Sequence, residues 1–134
     1  MIIPNCRKIV GGAGEGRVLV TRQPINFLSI IDVKTGRLTG VGHELDGESI
    51  KDAVFVYPHA IGSSVGAYTI HALRVYGTAP SAIVCSKADI TTASGCAIAN
   101  IPAVALPKNA SLTLIAQGIP ARVEADSGRI VLKD

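Results

Sequence analysis

No tryptophan occurs in this chain, and with three Tyr and two Phe its aromatic content is only 4%. Too few rings are available to build a stacking platform for single-stranded bases. Charge is sparse as well. Charged residues make up 17%, and the thirteen basic side chains, spread from Arg7 to Lys133, are interleaved with ten acids for a net charge of +3. Without a polybasic tract, nucleic acid is not an expected partner, whereas a small anionic substrate is compatible. The three cysteines, Cys6, Cys85 and Cys96, are an odd, widely spaced set with no CxxC pair. They support neither a disulfide framework nor a local zinc site. The uncharged stretch from Ala53 to Leu73 is interrupted by Pro58, His59, Gly62 and Gly66 and does not read as a membrane span. MIIPNCRKIV, the first ten residues, lacks the apolar segment of a secretory signal, so the expected compartment is the cytoplasm. In that setting the sequon Asn109-Ala110-Ser111 is a coincidence of spacing.

What is present is apolar. Hydrophobic residues account for 48% of the 134 positions, enough for one compact core and too little for two ordinary domains, so residues 1–134 are read as a single domain. Mean hydropathy is positive. Together with the thin charge, this predicts that part of the apolar surface is covered by another chain.

Most of the chain reads as short strands between turn residues. Arg17 to Thr21, Phe27 to Val33, Val54 to Tyr57, Ala82 to Cys85, Ala103 to Leu106 and Leu112 to Ala116 are apolar or β-branched runs of strand length. Lys34-Thr35-Gly36 and Asp126-Ser127-Gly128 have hairpin-turn composition, and the second would join Ala121–Glu124 to Arg129–Leu132. One stretch carries a clear helical signature. Val65, Tyr68, Ala72, Leu73 and Tyr76 recur at helical spacing, Arg74 suits the last turn, and Gly77 and Pro80 stop the helix. Gly47 to Ala53 reads either as a second short helix or as a loop. Strands, a strand-to-helix crossover and a closing hairpin predict a β-rich α/β domain layered β/β/α. Helices are too few to cover both faces of a parallel sheet.

The most informative junction is VFVYPHAIGSSVG, residues 54 to 66, where an apolar strand runs into Gly62-Ser63-Ser64 as the helical pattern begins. The first turn of a helix exposes unpaired N–H groups and carries about +0.5 charge, so a hydroxyl there can bind an anion or be eased towards its alkoxide. Serine is also a favoured N-cap and glycine a favoured turn residue, so the same residues can serve structure alone. His59 precedes Ser63 by one turn and can contact a bound anion or complete the loop.

Other candidates are weaker. Gly11-Gly12-Ala13-Gly14-Glu15-Gly16 lacks the terminal GK[ST] of a phosphate loop and leads into a strand, so it is read as a flexible entry to that strand. His43, His59 and His71 share no metal-ligand spacing, and His71 falls midway along the predicted helix. Ser86-Lys87-Ala88-Asp89 follows a strand end, where polar residues line a cleft or form a solvated turn. The small, apolar run Ser94 to Pro102 suits close packing beside a ligand or partner, or an ordinary core.

Taken in order, several segments resemble a known family. They are Gly16 to Val20, Asp32 to Gly36, His43 to Ile50, Val54 to Pro58, Gly62-Ser63-Ser64 and Gly95 to Pro102. In combination they resemble the small subunit of the aconitase X family, in particular its archaeal phosphomevalonate-dehydrating branch. The resemblance spans nearly the whole chain, although each motif alone is weak. It implies a swivelling β/β/α domain equivalent to the mobile domain of aconitase, closing over a large subunit that holds a [4Fe-4S] cluster, so that this chain supplies half of an active site. It implies dehydration of (R)-5-phosphomevalonate to trans-anhydromevalonate 5-phosphate in the modified mevalonate pathway, with cluster iron as Lewis acid on the departing hydroxyl. It assigns proton abstraction to Ser63 and a substrate contact to Ser64, with the cluster ligands on the large chain; Gly62, His59 and Lys87 are further substrate-binding candidates from their positions. Aconitase proper follows its serine pair with arginine, where this chain has Val65 and Gly66, so anion binding falls to Lys87, Arg22 or the partner. A cis-3-hydroxyproline dehydratase subunit of the same family and a non-catalytic swivel or carrier module are the alternatives. A phosphohistidine carrier needs a histidine soon after Gly11-Gly12, and none occurs before His43.

Overall fold

The structure, a computed structural model, describes residues 1–133. Its elements follow the order β1 (Ile2–Ile3), β2 (Arg7–Val10), β3 (Ala13–Val20), α1 (Phe27–Ile30), β4 (Ile31–Asp32), β5 (Arg37–Leu38), β6 (Val54–Tyr57), α2 (Gly66–Tyr76), β7 (Ala82–Cys85), α3 (Ile90–Ala99), β8 (Ala103–Ala105), β9 (Pro120–Glu124) and β10 (Arg129–Leu132), with a 3₁₀ turn at Leu112–Leu114 before β9.

β3 is the hinge of the architecture. Residues Val18 to Val20 pair in parallel with β6, while Ala13 to Arg17 pair antiparallel with β9. One half therefore belongs to a parallel sheet β3-β6-β7-β8, closed by antiparallel β2, and the other to an antiparallel ribbon β3-β9-β10-β1. The ribbon covers one face of the parallel strands. Val54, Val56, Ala82, Val84 and Val104 pack on that side with Val123, Ile130 and Leu132. Their neighbours Phe55, Tyr57, Ile83 and Cys85 point to the opposite face, into a core shared with Ile70, Leu73 and Cys96 of the helices. Burial on both faces explains why β6, β7 and β8 read as unbroken apolar runs. The predicted β/β/α layering is what forms, including the Val33–Gly36 and Ala125–Gly128 hairpin turns.

Three expectations are corrected. The glycine run is not a flexible entry, because Ala13 to Gly16 already belong to β3. There the strand passes so close to its neighbours that a Cβ on Gly14 or Gly16 would collide with the carbonyl oxygens of Ser81 and Asp52. Phe27 to Val33 is not one strand. Asn26 caps a single helical turn, its Oδ1 accepting the Ser29 N–H at 3.3 Å, before β4 begins. Leu112 to Ala116 contains the 3₁₀ turn, with Ser111 as its cap. The small apolar run after Ser94 follows its ordinary-core alternative, continuing helix α3 to Ala99 with Gly95, Cys96 and Ala99 buried; Asp89 caps that helix and Asn100 ends it in the left-handed region. The alternatives for Gly47 to Ala53 resolve to turns.

Helix α2 forms where expected but presents a different face. Gly66, Ala67, Thr69, Ile70 and Leu73 are buried, whereas Val65, Tyr68 and Tyr76 of the predicted stripe are exposed. Both sides of the helix are apolar, and Gly66 allows a close approach to Phe27 of α1 and Thr91 of α3.

Candidate functional site

The parallel strands β3, β6 and β7 end along one edge, and the loops that follow them meet there. This carboxyl edge is where open α/β sheets place ligands. The three loops are stitched together through their backbones. Ile25 N–H donates to His59 O at 3.1 Å and Ile61 N–H to Ile25 O at 2.9 Å, while Ser86 and Lys87 N–H both donate to Pro58 O, at 3.0 and 3.1 Å.

A polar network supports the loop from below. Asp89 Oδ2 accepts the Ala60 N–H and the Thr92 hydroxyl, both at 2.8 Å, and its Oδ1 accepts the Thr92 N–H at 2.8 Å. Thr92 Oγ1 also shares a 2.7 Å hydrogen bond with the buried Tyr57 hydroxyl. Burial pushes the Tyr57 phenol well up, so it stays protonated. Beneath the network the rings of Phe27, Phe55 and Tyr57 pack edge to face or tilted, with centroids 4.9 to 6.2 Å apart. Most of the scarce aromatic content is thus a rigid floor under this loop.

Ser63 and Ser64 lie in the turn that leads into α2, and both are exposed. Ser63 Oγ accepts the Val65 N–H at 3.1 Å, and its carbonyl accepts the Gly66 N–H at 3.0 Å, so the hydroxyl is held at the positive end of the helix. Gly62 turns the chain into this position with φ of +91°, and the Asn26 side chain lies against it. Gly62, Ser63, Ser64, His59 and Lys87 therefore lie along one edge of the sheet. No hydrogen bond joins the His59 ring to Ser63 among the described residues. His59 is half-buried and its backbone carbonyl fastens the loop, while Lys87 is exposed. Arg22 is also exposed on this edge, and neither cation is in an ion pair among the described residues. Sequence reading missed Asn26, Tyr57 and Thr92, and took Asp89 only as part of a polar strand-end segment. Asp89 had a usable signal as a capping residue ahead of a helix, whereas the closeness of Asn26 to Gly62 is purely tertiary.

The three cysteines are free and buried. Burial pushes the Cys6 and Cys96 thiols up and takes Cys85 up to about 12. A metal ligand must be the thiolate, so these buried, protonated thiols do not fit a cluster. No group of three His, Cys, Asp or Glu side chains among the described residues could hold a metal ion. No helix among them is long and apolar enough to cross a membrane. A polar groove of about 420 Å³, lined by Gly12, Asp52, Arg74, Ser81 and Asn100 among others, opens at the opposite edge of the sheet. Arg74 is already committed there, donating to the carbonyls of Ala99 and Asn100 at the end of α3.

Comparison with known proteins bears on the whole chain. Residues 3–132 match the family model described as the aconitase X swivel domain. A protein of Thermococcus kodakarensis named phosphomevalonate dehydratase small subunit is 40% identical over 129 residues, covering 96% of this chain and 95% of that protein. One of the same name from Methanothermobacter thermautotrophicus is 40% identical over 126 residues, covering 94% and 96%. Among solved structures, a chain of the holo-form of Thermococcus kodakaraensis aconitase X superposes with a TM-score of 0.93 at 36% identity, covering 100% of this chain and 99% of that one.

Proposed function

The chain belongs to the aconitase X swivel-domain family, and from that premise we propose that it is the small subunit of a phosphomevalonate dehydratase. It works with a larger subunit, as the names of its relatives imply. The reaction is removal of water from (R)-5-phosphomevalonate to give trans-anhydromevalonate 5-phosphate. The iron-sulfur cluster belongs to the large subunit, since no cysteine of this chain is suited to it, and the small subunit alone is inactive.

Within this reading the chain contributes a base. Elimination of water breaks a C–H bond, turns its electron pair into the new C=C bond and expels hydroxide from the adjacent carbon. Ser63 Oγ receives the proton. In water a serine hydroxyl is far too weakly basic for this, so the alkoxide needs donors aimed at it in a site closed to solvent. The Val65 N–H at 3.1 Å is such a donor, and the dipole of α2 adds to it. Because Ser63 is exposed in the isolated chain, water competes for these donors until the large subunit covers the edge. Gly62 gives the loop its shape, Ser64 and His59 line the approach, and Lys87 with Arg22 supplies positive charge for the phosphate.

The observation that carries this reading is the exposed Ser63 hydroxyl held on the first turn of α2 at the carboxyl edge of the sheet. The test is reconstitution with the large subunit, assayed on (R)-5-phosphomevalonate and on cis-3-hydroxyproline. Ser63→Ala is expected to assemble normally and lose turnover by roughly 10²–10⁴-fold, the scale of a lost general base. Ser64→Ala should retain most of it. Full activity in Ser63→Ala would remove the serine from the chemistry, and turnover of hydroxyproline alone would replace the substrate.

A further inference from the structure

We infer that the solvent-facing side of the helical layer is the permanent docking face for the large subunit, distinct in role from the edge that closes on substrate. This rests on the two-subunit reading above and names the surface that it leaves open.

The first observation is the absence of charge. Helices α2 and α3 together contain no acidic residue, and their basic side chains are His71 and Arg74. Arg74 is turned aside to donate to the end of α3. An ordinary solvent-facing helix carries charged residues opposite its core stripe. Here that side carries Val65, Tyr68, Val75 and Tyr76, with Tyr68 and Val75 each 69% exposed. Spacings of three, seven and one residues keep all four on one face. Across α3 the face continues through Ile90, 77% exposed, and Ile98. The buried half of α2 accounts for its core contacts, so this second stripe has no partner among the described residues.

The second observation is where the stripe begins. Gly66 is the point at which the first turns of α1, α2 and α3 meet: a Cβ there would stand 3.5 Å from Phe27 Cβ and 3.2 Å from Thr91 Cγ2. Exposed Leu28, Val65 and Ile90 surround this point, and Ser63 and Ser64 directly precede Val65. Any subunit that covers Ser63 therefore lands on this apolar rim and has the stripe of α2 running on beneath it. A second copy of this chain seated on the same rim would obstruct that closure, so the occupant is the large subunit. In the two-subunit reading, a lasting apolar contact holds the small subunit to the large one.

Tyr68→Glu and Val75→Glu place a charge on the stripe, and both positions are exposed helical sites that accept glutamate without disturbing the core. Ser127→Glu, at the exposed β9–β10 turn, is the control. Affinity for the purified large subunit would be measured by calorimetric titration without substrate, in both the wild-type and the Ser63→Ala background, alongside light scattering of the small subunit alone. The expected result is an unchanged melting temperature, with Kd raised at least tenfold by either stripe variant and unaltered by the control. Unchanged affinity in both stripe variants, or no complex with the wild-type chain, would overturn the inference. So would an isolated chain that is a dimer and is split by either variant. A complex that maps to the stripe but does not dehydrate phosphomevalonate supports the docking face and overturns only the substrate assignment.

Discussion

Gly62 is pressed against Asn26: a Cβ on residue 62 would stand 2.5 Å from Asn26 Nδ2, and φ there is +91°. The loop that presents Ser63 is thus shaped by a contact with the segment after β3, and glycine satisfies both the backbone angle and the space. Gly62→Ala is expected to cost about 1–2 kcal/mol from the left-handed backbone alone. Activity of the reconstituted complex should fall further than the loss of folded protein explains, because the displaced part is Ser63. Adding Asn26→Ala should recover some activity. Thermal melting and steady-state assays of the two variants decide it, and an unaffected Gly62→Ala complex would mean that the loop is set elsewhere.

The parts of this fold that could be read from sequence are those where burial and local pattern agree. β6 and β7 are continuous apolar runs because both faces are covered, and the β9–β10 hairpin announces itself through Asp126-Ser127-Gly128. The serine loop was visible because an apolar strand, a glycine and a helix start coincide. Helix α3 was hidden for the opposite reason. Ile90 to Ala99 carries no charged residue and little contrast between faces, so periodicity had nothing to report. The face of α2 was misassigned because both of its sides are apolar, and only the packing of Gly66, Ile70 and Leu73 distinguishes them. Asn26 beside Gly62 and Asp89 beneath Ala60 are contacts between distant segments, for which single positions give no sign.

Asp89 joins the start of α3 to the loop that leads into Ser63. Asp89→Ala removes the cap of α3 and leaves the Ala60 and Thr92 N–H groups without their acceptor, for an expected loss of about 2–3 kcal/mol. Tyr57→Phe is milder, since Thr92 keeps Asp89 as a partner, and about 1 kcal/mol is expected. Denaturant unfolding gives both values. Hydrogen exchange at the Ala60 amide should rise in the first variant and barely change in the second. The reverse order would remove Asp89 as the support of the loop.

Glu44 fastens the Gly40–Gly47 segment to the residues after β3. Its carboxylate accepts the Thr21 hydroxyl and, at 2.9 Å, the Arg22 N–H, while its own N–H donates to Gln23 Oε1 at 2.9 Å. The Thr21 hydroxyl first, then the Arg22 amide, hold this carboxyl below the usual glutamate range. A group depressed by folding contributes stability above its unfolded value, about 4.3 for glutamate, and loses it as pH falls through the lower folded value. Exchange at the Arg22 amide should therefore be steady from neutral pH down to about 5 and, after correction for intrinsic rates, accelerate below about 4. Glu44→Ala should show the faster exchange at every pH. A wild-type amide indifferent to acid would dissociate the latch from the titration.

Gly95 of α3 faces Ile70 of α2 at a distance that admits no side chain. A Cβ on residue 95 would lie 2.6 Å from Ile70 Cδ1 and 2.8 Å from Ile70 Cβ. The first atom can rotate away; the second is fixed to the backbone, so the helices must part. Gly95→Ala is expected to cost about 1–3 kcal/mol as an overpacked contact, despite the better helix propensity of alanine. Ile70→Ala alone opens a cavity and costs about 2–5 kcal/mol. Combined, the two should cost less than their sum, because truncating Ile70 frees the space that the new methyl enters. The residual clash with Cβ keeps the rescue partial. Both helices begin beside the Ser63 loop, so parting them should also lower turnover in Gly95→Ala more than in a variant of equal stability on the ribbon, such as Ile130→Val. Losses that add to within about 0.5 kcal/mol would show that the two sites are not coupled through this contact.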